Sequence, residues 1–145
     1  MSSLPLVGAV SNRLFTPAEA NNALGEVRPV AERLVAVRTR MRELVGEQEK
    51  LATDIGGNGG GYAASDLNFA QGELEQLAEQ VAAAVGEIES LGAVVKDLDL
   101  GLLDFPGLRE GEEVELCWQV GEEAVLHWHP LEAGYGGRKP IYWSE

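Results

Sequence analysis

Two runs of apolar residues, spaced alternately by three and four positions, constrain this chain more than any other feature. The first is Val30, Leu34, Val37, Met41, Leu44, Gln48, Leu51 and Ile55; the second is Leu67, Ala70, Leu74, Leu77, Val81, Ala84, Ile88 and Leu91. Such spacing puts each set on one stripe of a helix, as in the a/d seam of a coiled coil. Between them lie five glycines and Asn58 within positions 56–61. A run of this kind loses too much backbone entropy to remain helical, so the sequence predicts a loop over about 56–64. Ser65 or Asp66 is placed to cap the second long helix, and Gly92 to end it. A short loop between two long helices forces them to lie antiparallel.

Upstream, Thr16, Pro17 and Glu19 have the pattern of a helix start: a capping hydroxyl, proline at the first helical position, and a carboxylate three residues after the cap. Pro29 biases Arg28 away from helical dihedrals, so this first helix is predicted to be short and to stop near Val27. Residues 1–14 read as an N-terminal extension. The charges suit the hairpin, since six Arg and Lys side chains lie between positions 28 and 50, whereas the charged residues of 66–90 are all acidic. Ala78, Ala82 and Val85 widen the apolar stripe of the second long helix beyond its seam, which calls for a further partner. A second copy of the chain fits, and a homodimer through the helices is expected.

After Gly92 the apolar period falls to two. Strands are predicted over 93–98, 114–119 and 124–129, with a last short one at 141–143; 100–107 reads as an irregular turn. The fold class is therefore α+β: a long antiparallel helical hairpin preceded by a short helix (15–92), then a small antiparallel sheet (93–145) packed with it as one domain.

Side-chain parity sharpens this picture. Putting Leu116, Trp118, Leu126 and Trp128 on one buried face of a β-hairpin turning at Gly121, Glu122 and Glu123 pairs Leu116 with Trp128 and Trp118 with Leu126. Cys117 then faces His127, Glu115 faces His129, and all four share the reverse side. Cysteine, histidine and carboxylate are accepted zinc ligands, so Cys117, His127, His129 and Glu115 form a candidate metal set for zinc or iron, although no Cys-x-x-Cys or His-Glu-x-x-His motif is present. The plain alternative is a polar strand face with no cofactor. Asp97, Asp99 and Asp104 flank the 100–107 turn, where aspartates commonly hold turns through backbone hydrogen bonds. Arg138, closing a glycine-rich loop, is suited either to a small anionic ligand or to an ion pair with Asp97 or Asp104.

Composition bounds the function classes. Eleven basic against twenty-four acidic residues give a formal charge of −13 over 145 residues, which disfavours nucleic acid and anionic membrane surfaces as partners. The one cysteine excludes an intrachain disulfide. With no basic-then-apolar leader and no apolar run of about 18–20 residues, a cytoplasmic location is expected.

The stretch from Phe15 to Asn21, Lys96 and Asp97, the stretch from Gly101 to Pro106, Leu116 to Trp118, Gly121 and Glu122, Trp128 and His129, and Gly134 to Arg138 together resemble a small bacterial family, domain of unknown function 2203. The resemblance covers nearly the whole chain and implies the same order of elements, with no established activity. It singles out Asp97, Asp104, Cys117, Trp118, Glu122, Trp128, His129 and Arg138; it also sets His127 where an aromatic is usual and Glu123 where proline is common. The resulting expectation is an interaction or small-ligand-binding module whose surface comprises Asp97, Asp104, Cys117, Glu122, His129 and Arg138. The alternative is an enzyme or metal site built on His129, Cys117, Asp97 or Asp104, and Arg138.

Overall fold

The computed structural model describes residues 13–58 and 61–144, side chains excepted at 51 and 54–67. Two helices come first, α1 (Pro17–Asn58) and α2 (Gly61–Ser90), followed by five strands. These are β1 (Val94–Asp97), β2 (Leu102–Arg109), β3 (Glu112–Gln119), β4 (His127–Pro130) and β5 (Lys139–Pro140), with a single 3-10 turn at Tyr135–Gly137 before the last. The strands form one sheet in chain order, each antiparallel to its neighbour.

The helix start is as the sequence indicates. Thr16 Oγ1 accepts from the Glu19 N–H at 3.0 Å, and Glu19 Oε1 accepts from the Thr16 N–H at 2.9 Å, so two otherwise orphaned donors are satisfied reciprocally. The expected break at Pro29 does not occur: α1 runs through it as one helix of 42 residues, about 60 Å at roughly 1.5 Å per residue. A helix-interior proline forfeits one hydrogen bond, here to Gly25, and crowds that carbonyl. Packing on both sides offsets the loss, because Val27, Val30, Ala31 and Leu34 are all buried in the core. The glycine run is also shorter as a breaker than expected. Helix persists to Asn58 and resumes at Gly61, so Ser65 and Asp66 lie inside α2 rather than capping it. Propagating a helix already nucleated costs only about 1 kcal/mol per glycine, which a helix of this length absorbs.

Cross-helix pairs fix the antiparallel sense: Arg33 meets Glu87, Arg40 meets Glu73, and Gln48 meets Gln71. On the seams Leu34, Leu44, Ala84 and Ile88 are buried, whereas Met41, Leu74, Leu77 and Val81 are half-buried. The side chains of Leu51, Ile55 and Leu67 of the predicted seams, and residues 1–12 of the predicted extension, lie outside what the structure describes.

Three sheet assignments differ from expectation. The predicted turn at 100–107 is largely strand β2, paired along its whole length with β3 from Leu102↔Gln119 to Arg109↔Glu112. Pro106 is tolerated because β1 pairs no further along β2 than Asp104; beyond that point the Pro106 carbonyl accepts the Phe15 N–H at 2.7 Å instead. Strand β4 starts only at His127, so Trp118 has no partner in β4, and Leu126, expected inside, is 52% exposed. The reason lies in helix α1. Asn21 accepts from the Val125 N–H at 2.7 Å and donates to the Val125 carbonyl at 3.1 Å, while Arg28 donates to the carbonyls of Glu122 and Glu123. The connection is drawn onto the helix, Val125 is buried in Leu126's place, and the turn is longer than three residues. The last strand is Lys139–Pro140 rather than 141–143.

One face of the sheet packs on the helices. Leu103, Phe105, Leu116, Trp118 and Trp128 join Phe15, Leu24, Val27, Leu34 and Ile88 in a common core. Phe15 stands edge-on to Phe105 with centroids 5.3 Å apart. Each such fully buried side chain contributes about 1.5–3 kcal/mol relative to exposure.

Candidate functional site

The register of β3 on β4 is the one burial selects: Leu116↔Trp128, Cys117↔His127 and Glu115↔His129. Strand β2 adds Asp104 opposite Cys117. Since alternate residues point to opposite faces, the apolar set turns toward the helices and these polar residues to the other side. Although they lie on the face away from the helices, Asp104, Cys117 and His129 are almost wholly buried, at 2%, 0% and 3% exposure. One ligand atom from each lies within 4.8 Å of the other two.

Asp104 is the hub. His129 Nε2 sits 3.2 and 3.1 Å from its two oxygens, and the Lys96 ammonium is 3.9 Å from Oδ2. His129 Nδ1 is 2.8 Å from the Pro130 carbonyl. A carbonyl only accepts, so Nδ1 carries a proton, and Nε2 is the nitrogen turned to the carboxylate. That contact is attractive when a proton or a cation lies between the ring nitrogen and the carboxylate oxygens.

The remaining predicted residues divide. Glu115 is half-buried near Asp104, and burial followed by that neighbouring carboxylate pushes its own carboxyl above the usual range. His127, opposite Cys117, stays outside the three-atom cluster, and its buried Nδ1 has no hydrogen-bond partner. Arg138 pairs with neither Asp97 nor Asp104. Its two terminal nitrogens clasp both oxygens of Glu122 at 2.8 Å, which lowers the Glu122 carboxyl and raises the guanidinium. Arg138 also stacks on Tyr135 at 4.6 Å, so this clamp pins the glycine-rich turn against the β3–β4 connection. Asp97 takes the turn-holding role, accepting from the N–H groups of Asp99 and Leu100 at 2.9 Å. Asp99 instead meets Arg38 and Arg42 of α1. Sequence reasoning missed Lys96 as a neighbour of the cluster; the signal available was its position two residues after the paired Val94, on a strand facing Asp104.

Burial, and after it the Asp104 charge, pushes the Cys117 thiol up to about 12. The neutral thiol is therefore favoured in the fold, and this group's stabilisation is complete below its unfolded value of about 8.5 and is lost as pH rises toward the folded value. A disulfide reagent at pH 8 is expected to modify native Cys117 only as fast as the protein unfolds, and immediately in denaturant. Rapid reaction of the folded protein would contradict the burial.

A small sheet laid on a helical hairpin, with its acid, thiol and imidazole gathered on the far face, is the architecture the chain presents for comparison. The chain belongs to the family described as uncharacterized conserved protein (DUF2203), whose model matches residues 13–141. No curated protein and no solved structure matches it. No described helix is long and apolar enough to cross a membrane.

Proposed function

We propose that this protein binds a divalent transition metal ion, zinc foremost, through Asp104, Cys117 and His129, and that the helices carry it as a homodimer. The observation that supports the metal reading is the orientation of His129. Its Nδ1–H is committed to a backbone carbonyl, which is the second-shell arrangement that orients metal-ligating histidines, and this leaves Nε2 facing the Asp104 carboxylate. One thiol, one imidazole and one carboxylate match zinc's ligand preferences. Bond lengths of about 2.0–2.3 Å require tetrahedral donors to lie roughly 3.3–3.8 Å apart; His129 Nε2 already lies 3.1–3.2 Å from the Asp104 oxygens, and with all three donor atoms within 4.8 Å of one another the longest separation needs to close by only about an ångström. Three protein donors leave a fourth tetrahedral place to be filled, by a further side chain or by a ligand from solution. Glu115 and His127, the other two members of the predicted quartet, stand beside this set rather than in it.

The test is elemental analysis of protein purified without chelator or metal-affinity tag. Stoichiometric zinc is expected in the wild type and a loss of at least about tenfold in affinity in Asp104→Asn. Metal-free protein that also fails to take up added zinc would overturn the reading. Support for self-association comes from α2, where Ala78 and Ala82 are exposed and Leu74, Leu77, Val81 and Val85 only half-buried.

A further inference from the structure

We propose that the metal position stays open toward Lys96 and takes a small oxyanion there, a carboxylate or a phosphate, held between the ion and the Lys96 ammonium. The inference rests on the metal reading above and names the ligand class of that site.

The starting observation is a fault in the ladder. Strand β1 lies at the edge of the sheet, and its pairing with β2 runs Val94↔Asp104, Val95↔Leu103, then Asp97↔Leu102. Lys96 is the extra residue of a bulge, left out of the register. Bulges bend an edge strand and re-aim a side chain, and they concentrate beside functional sites. Here the re-aimed side chain reaches the buried cluster: Lys96 Nζ is 3.9 Å from Asp104 Oδ2, with the lysine side chain 44% exposed and the aspartate 2%. The lysine side chain thus reaches from solvent to ion-pair range of the hub carboxylate, and its position marks the mouth of the site.

Charge then selects the ligand. An ion of charge two bound by the Asp104 carboxylate and the Cys117 thiolate, with a neutral His129, is balanced; Lys96 adds a positive charge at the mouth, where the Glu115 carboxyl is its competitor for an incoming oxyanion. Arg138 does not alter this count because Glu122 neutralises it. The rival for the vacant coordination place is Glu115, which lies opposite His129 and is half-buried. The donor set alone does not choose between a fourth protein carboxylate and an incoming one. Lys96 does, because it supplies a second contact to an incoming oxyanion and has no other ion-pair partner than Asp104 among the described residues.

The experiment uses the full chain loaded with cobalt(II), whose visible absorption reports its ligands, and titrates inorganic phosphate and acetate separately. Saturable spectral shifts are expected in the wild type, with the stronger of the two anions identifying the ligand's headgroup. Lys96→Met should weaken that anion by about tenfold or more while leaving cobalt uptake intact, and Lys96→Arg should restore most of it. Three results overturn the inference with the metal reading left standing: no spectral response to either anion, equal affinity in Lys96→Met, or a change of the cobalt d–d bands in Glu115→Gln with the thiolate band retained, which would make Glu115 the closing ligand. Failure of the wild type to take up cobalt sinks both.

Discussion

His129→Ala is expected to destabilise the metal-free protein by about 3–5 kcal/mol, among the largest effects available to a single substitution here. The residue is 3% exposed and its Nε2 serves both oxygens of Asp104, itself 2% exposed. Removing the ring leaves a desolvated carboxylate whose remaining ion-pair partner, the Lys96 ammonium, is 3.9 Å away. It also opens a cavity the size of an imidazole, which adds to the cost. The informative control is the double replacement Asp104→Leu with His129→Leu. Exchanging both members of a buried pair for apolar groups is often neutral, so the double variant should be more stable than the single one. Urea unfolding of the three proteins decides the matter. A single-variant loss under about 1 kcal/mol would show that the pair is not desolvated. Zinc adds an independent reading: at about a thousandfold excess over its dissociation constant it should stabilise the wild type by about 4 kcal/mol, and neither variant appreciably.

Trp118→Ala should cost a similar amount, about 3–5 kcal/mol, through a different mechanism. Trp118 is fully buried, faces Leu103 across the β2–β3 ladder, and lies in the layer that joins sheet to helices. Its indole N–H donates to the Glu122 carbonyl at 3.0 Å, and the Arg28 guanidinium lies 5.3 Å from its ring centre. Truncation therefore loses packing, one buried hydrogen bond and a cation–π contact together. For a chain of this size the melting temperature should fall by roughly 10 °C. Trp118→Phe separates the contributions: most of the apolar volume stays, the hydrogen bond goes, and about 1–2 kcal/mol is the expected loss. If the alanine variant melted with the wild type, the helix–sheet core described above would be wrong.

What could be read from the chain, and what could not, follows from how local each determinant is. The Thr16–Glu19 cap is a four-residue pattern and forms as written. The pairing of Cys117 with His127 and of Glu115 with His129 was legible because a slip of one residue would have exposed Leu116 and Trp128. Strand β2 was not legible, because Pro106 and Gly107 mimic turn chemistry directly after a true turn at Gly101. Their causes are long-range: a Cβ on Gly107 would come within 2.7 Å of Leu116 and 3.0 Å of the Phe15 carbonyl, so that glycine marks a close crossing rather than a bend. Losing β2 hid the fact that Asp104, already a candidate ligand, stands directly across from Cys117. The continuity of α1 through Pro29 was hidden for the same reason, since the packing of Val27, Val30 and Ala31 that sustains it comes from elements distant in sequence.

The bond between Asn21 and Val125 spans 104 positions and is two-sided, donor and acceptor at once. In effect the carboxamide replaces a missing neighbouring strand for one residue, that unit of backbone being Val125. Until α1 has docked, that unit has no mate, and the approach to β4 lacks its anchor. Near-terminal parts of the polypeptide are thereby tied by a contact that raises the contact order of the whole fold, whereas the imidazole, thiol and acid are brought together by neighbouring strands from positions no more than 25 apart.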